Sequence, residues 1–289
     1  MTEKTLPVIG AALSVSQLAG HIDWLLGEQR DLEIQDPIFT PIFDGDWSHL
    51  ETLEGYTTLF TLADWQTIVR QAKDVLDGYT GRLSIHGPFM GMPLLTIDKK
   101  IRDVVRERLC QALEFAHALG ATQMVLHSPW EYFGGPFVPH STEQGRRLVI
   151  ALVSDLLSTV LPVAEQAGCT LVIEGIFDKN TGPLLALIRA LDSDYAQLSI
   201  DTGHAYINHV LGGPPLDQWV RDGGELLAHM HLQDGDGAAD RHWAPGRGSI
   251  NWYALFEALQ ERESYPRLIL ETQYFRQGAV WLAEQGYVR

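Results

Sequence analysis

The stretch His229–Trp252, HMHLQDGDGAADRHWAPGRGSINW, decides how the rest of the chain reads. It crowds His229, His231, Asp234, Asp236, Asp240 and His242, all metal-capable, into a short span. Gly235, Gly237, Gly246 and Gly248 interrupt it, so neither one helix nor one strand can run through. An apolar run, Leu226 to Leu232, leads in with strand character, and a helical pattern, Trp252 to Leu259, leads out. The unit is a strand that delivers its last residues into a long polar loop, where binding residues sit on a rigid scaffold.

Outward from that unit the pattern repeats. Strands are predicted at Pro7 to Val15, Asp31 to Gln35, Arg82 to His86, Thr122 to His127, Thr170 to Glu174, Gln197 to Asp201 and Arg267 to Glu271. Helical patterns follow at Gln17 to Glu28 (entered through Ser16), Asp64 to Leu76, Asp98 to Leu119, Thr142 to Ala167 and Pro183 to Leu191. Gly120 is placed to stop the third of these, and Pro162 to kink the fourth. Pro37 to Tyr56, rich in aromatics and proline, reads as an elaborated loop. LVIE and LILE are continuous apolar runs, as expected of parallel strands buried on both faces. Eight strand-then-helix units with no linker predict one α/β domain over residues 1–289, a (β/α)₈ TIM barrel, with a doubly wound open sheet as the alternative.

The strand ends carry the chemistry. They are His86, His127, Glu174, Asp201 (with His204 beyond), His231 (with Asp240 and His242 in its loop) and Glu271. In a barrel these ends converge on one face. A single histidine there is usually a hydrogen-bonded structural residue, and an ionised carboxylate after LVI or LIL is costly unless paired or metal-bound. Successive strands ending this way predict a carboxylate and imidazole metal site. Mixed Asp, Glu and His without cysteine suits Zn²⁺, Mn²⁺, Fe²⁺ or Co²⁺ rather than Ca²⁺. GxSxG, GxGxxG and GxxxxGK[ST] are absent, so a serine elbow, a dinucleotide and a P-loop nucleotide are unsupported. Arg247, in the GRG of residues 246–248, offers weak support for an anionic substrate. Trp130, Phe133 and Trp243 are candidates for an apolar wall that stacks on a sugar ring.

Composition narrows the partners. A net charge of −16 disfavours phosphate backbones and anionic membranes. Cys110 and Cys169 form no CxxC motif and imply a reducing compartment. MTEKTLPVIG has no signal-peptide pattern, and no apolar run reaches membrane-spanning length. The expectation is a cytoplasmic protein acting on a small molecule, with homo-oligomerisation left open.

The chain resembles the xylose isomerase-like barrel superfamily, which holds sugar and sugar-phosphate isomerases, tagatose/psicose 3-epimerases, inosose dehydratase and endonuclease IV. The likeness runs over residues 82–275 and rests on LVIEG, SIDTGH, MHLQD, LILET and the PGRGSINW that ends the stretch quoted above. It implies one divalent metal, Zn²⁺ or Mn²⁺, on Glu174, Asp201, His231 and Glu271. It also implies up to two more, one with His86 and His127 and one with His204, Asp240 and His242. HSPW, EGIFDK and HLQDGDG depart from the nuclease pattern of HPG, ENTAG and LxxNDSK.

The implied function is a metal-dependent sugar or sugar-phosphate isomerase or epimerase with a small carbohydrate substrate. By resemblance, the metal binds two adjacent substrate oxygens and stabilises an enediolate while Glu174 and Glu271 trade its proton. His204, Arg247, Trp130 and Trp243 are the expected substrate contacts. The alternatives are a multi-zinc phosphodiesterase of the abasic-site endonuclease kind and a barrel that binds sugar or metal without turnover.

Overall fold

The computed structural model describes residues 5–35, 64–131 and 142–289. Eight parallel strands close into a barrel in sequence order. They are β1 Gly10–Ser14, β2 Leu32–Gln35, β3 Leu83–His86, β4 Gln123–His127, β5 Thr170–Gly175, β6 Ala196–Asp201, β7 Leu227–Leu232 and β8 Arg267–Leu270. The helices around them, among the described residues, are α1 Leu18–Gly27, α2 Trp65–Val75, α3 Lys99–Leu119, α4 Glu143–Leu157, α5 Leu161–Ala167, α6 Thr181–Leu191, α7 Thr202–Val210, α8 Leu216–Gly223, α9 Trp252–Gln260 and α10 Phe275–Glu284. The (β/α)₈ expectation holds, and the open sheet is excluded by the β1–β8 pairing. Pro37 to Tyr56 and Phe133 lie outside the described residues.

The differences from the sequence reading are local and physical. The 3₁₀ turn Val15–Gln17 that leads into α1 is capped by Ser14 rather than Ser16, because Ser14 and Gln17 bond each other reciprocally across it. The single helix expected from Thr142 to Ala167 is two, α4 and α5, bent by 48°. Pro162 sits in the first turn of α5, where its missing N–H would have had no partner. The run after Asp201, for which the sequence reading places no element, forms helix α7. No single helix among the described residues is long and apolar enough to cross a membrane.

The barrel interior is more polar than the branched aliphatic layers usual for this fold. Because side chains alternate across a strand, Glu33, Ser84, Ser199, His229 and Arg267 share one buried layer, in register across β2–β3 and β6–β8. Ser84 Oγ donates to Glu33, Ser199 Oγ lies 2.9 Å from His229 Nδ1, and Arg267 donates to Leu83 O and Thr122 Oγ1. Buried polar groups persist because they bond one another. This layer is the floor on which the strand-end residues stand.

Candidate metal centre and adjoining cavity

Four of the strand-end residues converge. Donor atoms of Glu174, Asp201 and His231 lie within 4.8 Å of one another, and all three residues are buried. Glu271 Oε2 reaches to 3.4 Å from His231 Nδ1, beside Glu174 Oε2 at 2.8 Å.

Each of the four is fixed by its remaining atom. Asp201 ends β6 and is at once the N-cap of α7, so Oδ1 accepts from His204 N at 2.7 Å and from Gln233 Nε2 at 3.1 Å. Its Oδ2 is left buried without a hydrogen-bond partner. Glu174 Oε1 is 3.2 Å from His204 Nδ1, while Oε2 is likewise buried and without a partner aligned to bond it. His231 Nε2 is 2.8 Å from Glu33 Oε1, and its Nδ1 is a third orphan. Gln35 Nε2 donates to Glu271 Oε1 at 2.6 Å.

Three buried atoms, two carboxylate oxygens and one imidazole nitrogen, thus face one point without an aligned hydrogen bond, although Glu174 Oε2 and His231 Nδ1 lie 2.8 Å apart. Three buried carboxyl groups, Glu174, Asp201 and Glu271, crowd this point, and the imidazoles of His231 and His204 answer them only in part, a costly arrangement for a core. A divalent cation fits this donor set by charge and by ligand type. The role of Glu33 has a recurrent form: a carboxylate on the far nitrogen of a ligating histidine fixes the ring and its tautomer.

The electrostatics express the same crowding. Burial raises the Glu174 carboxyl, but the imidazoles of His231 and His204 overcome it and hold the group well below the carboxylate range. Burial pushes Glu271 up to about 7 against the pull of His231 and His242. Two facing carboxyl groups are therefore driven apart in acidity, the pattern of acid and base pairs. Burial opposes charge on His204 and His231, yet the surrounding carboxylates raise both well above the ordinary imidazole value.

The other expected residues are placed differently. His204 and His242 both approach Asp240 Oδ2, at 3.3 and 3.0 Å, so this trio is joined by one carboxylate at the cavity wall. His242 takes a left-handed backbone, φ 48°, held by its N–H to Gln233 Oε1 and its Nδ1 to Glu271 O. Gly203 allows Gln233 that close, since a Cβ there would fall 2.5 Å from the amide carbon. His86 and His127 line the same cavity with ring centroids 5.2 Å apart. Neither belongs to a group of three donors within 4.8 Å among the described residues.

Of the seventh-strand cluster, His229 lies in the floor layer and Asp236 pairs with Arg241. Asp234 organises the loop, accepting from Gly235, Gly246 and Ile250 N–H and from Trp252 Nε1.

That last network alters the reading of the GRG segment. Gly246 N–H is spent on Asp234 and Arg247 N–H on Ala244 O, so neither amide is left for an anion. Arg247 and Trp243 border a separate cavity with Tyr274 and Gln277. Trp243 is pinned there by a two-way backbone bridge to Asp234. Trp130 is packed in the hydrophobic core, its backbone N–H turned to Ser128 Oγ, which in turn donates to Asp178. These three side chains stand outside the lining of the metal-site cavity among the described residues. Glu33, Gln35 and Gln233 are the site residues that the strand-end pattern missed. A carboxylate in the middle of the apolar run LEI was the available signal for Glu33.

Comparison with known proteins agrees with the barrel. A Methanocaldococcus jannaschii protein is 22% identical over 67% of this chain, and the chain spans just under two thirds, 65%, of that relative's length. The 3-dehydro-D-guloside 4-epimerase of Escherichia coli is 23% identical, over 66% of this chain and 79% of its own. A Thermus thermophilus protein, solved after soaking with ZnCl2, shares the fold with a TM-score of 0.70 at 23% identity, covering 97% of this chain and 99% of that one. The family described as xylose isomerase-like TIM barrel matches residues 49–287, and the chain belongs to that family.

Proposed function

We propose that this chain is a divalent-metal-dependent sugar epimerase or isomerase in which Glu174 and Glu271 carry the proton. The observation that supports it most is the set of buried orphan atoms, Glu174 Oε2, Asp201 Oδ2 and His231 Nδ1, beside the Glu271 carboxyl. A cation there, Zn²⁺ or Mn²⁺, would be held by these four residues, and its charge would lower the energy of an oxygen turning negative beside the carbon that loses a proton.

The chain's own residues do the rest. Glu174 and Glu271 both border the cavity, and each has one oxygen steadied by a neighbour, His204 or Gln35. Steadied, buried carboxylates suit proton removal from carbon and its return. His204, Asp240 and His242 present hydrogen-bonding groups at the same wall, suited to hold substrate hydroxyls. The name of the E. coli relative supports a keto-sugar substrate.

The test is turnover in heavy water with metal-loaded protein and a panel of ketohexoses and 3-dehydro sugars. Deuterium is expected at a carbon next to the carbonyl. Product without label would mean direct hydride transfer and would overturn the proton-carrying role while leaving the metal site standing.

A further inference from the structure

The cavity in front of the metal ligands encloses about 740 Å³, within the roughly 300–1,000 Å³ typical of sites for drug-sized ligands. Its chemistry changes from one end to the other. Glu174, His204, Asp240, His242 and Glu271 form the polar end. Away from them the described lining is carried by Met90, Ile176, Phe177, Ile207, Val210 and Leu211. Helix α7 spans the change. His204, Ile207 and Leu211 lie three and four residues apart and so share one stripe, and Leu211 stands about 10 Å along the axis from His204. Phe177, Val210 and Leu211 are 45%, 55% and 47% exposed, an unusual concentration of uncovered apolar side chain beside a buried charged centre.

A phosphate at the apolar end would find no ammonium or guanidinium, since His204 and His242 stand at the polar end. No lysine or arginine lines the cavity among the described residues. Residues 36–63 and 132–141, which follow β2 and β4 in the chain, contain none either. Arg241 is committed to Asp236, and Arg247 borders the other cavity. Asn208, a polar residue at the apolar end, turns its amide N–H groups to Ile176 O and His204 O. The wall therefore offers contact area without a handle for charge.

We infer that the substrate is a keto sugar joined to an uncharged apolar group, a glycoside or ether with an aromatic or alkyl substituent, and that this group lies along Ile176, Phe177, Ile207, Val210 and Leu211. The inference rests on the sugar-epimerase reading and adds the class of substituent. The same wall offers the phosphate of a sugar phosphate no matching cation.

Three probes of one parent decide it: 3-dehydro-D-glucose, its phenyl β-glycoside and its 6-phosphate. Each is titrated calorimetrically into metal-loaded protein and incubated with it in heavy water. Even one buried methylene is worth roughly 10-fold or more in a fitted apolar pocket, so the phenyl glycoside is expected to bind at least about 10-fold more tightly than the parent. The phosphate is expected to bind no more tightly than the parent. Leu211→Asn and Phe177→Ser are each expected to cut the phenyl advantage to below about 3-fold with metal content unchanged, since a polar wall forfeits the apolar contact. Both side chains are substantially exposed, so the variants keep the fold, and circular dichroism checks this.

Equal binding of parent and phenyl glycoside, or tightest binding of the phosphate, would overturn the inference. Deuterium entering any probe would then leave the epimerase reading intact. If a second copy of the chain covers this wall instead, the phenyl advantage will be missing and Leu211→Asn will dissociate a dimer in sedimentation, which also overturns it. Tight phenyl binding with no deuterium in any probe would count against the proton-transfer reading and not against the apolar wall.

Discussion

The two ends of one cavity are built by different rules. At the end of the proposed metal centre every candidate ligand comes from the tip of a barrel strand or the residue just after it, and each has its second atom tied to a neighbour. At the other end the lining comes from helix α7 and from the segments after β3 and β5, and Met90, Phe177, Val210 and Leu211 in it are exposed. A site that must hold charge in place needs rigid backbone beneath it and hydrogen bonds behind it. A site that only offers apolar area needs neither. Substitutions at the first end are therefore expected to be severe and specific, and those at the second mild and graded.

The largest effect is expected from Glu174→Gln and Glu271→Gln. Each keeps the size of the side chain and removes the charge, so turnover should fall by at least about 10²- to 10⁴-fold, the range of acid–base contributions. Circular dichroism should stay native. Near wild-type turnover in either variant would remove the proton-carrying assignment and with it the contrast between the two ends.

Glu33→Gln sharpens the comparison from below. Glu33 touches His231 from the side away from the cavity, at 2.8 Å, and is fully buried. Gln retains an acceptor for the His231 N–H but loses the charge that sets the ring's basicity. Metal affinity, read by competition with a chromophoric chelator, should drop by about 10- to 100-fold. An unchanged affinity would show that the floor layer serves folding alone.

Val210→Ser should have the smallest effect. The side chain is 55% exposed, so the change should alter stability by less than about 0.5 kcal/mol in thermal or denaturant unfolding, and leave metal binding as it was. A cost of several kcal/mol would mean that the apolar end is structural and not a free wall.

Much of this was legible in residue order. Alternating strand and helix signals, continuous apolar runs such as LVIE, and the recurrence of acidic residues and histidines at strand ends are local patterns. Topology alone carries local patterns of that kind to one face of a barrel. Glu174, Asp201, His231 and Glu271 could be named from sequence for that reason, and the structure brings them together.

What the tertiary structure decided is which atoms face which. Asp201 turns one oxygen inward because the other caps α7, a helix that the sequence reading does not place. Asp234 and the Gly246 amide look like ligand groups in sequence, but they bond each other when the loop closes on itself. Trp130 turns into the core while Phe177 and Leu211 face the cavity, a choice set by packing that hydrophobicity alone cannot order. Residue types and their spacing are properties of the chain. Hydrogen-bond partnership is a property of distances between segments far apart in sequence, and only the closed barrel supplies those.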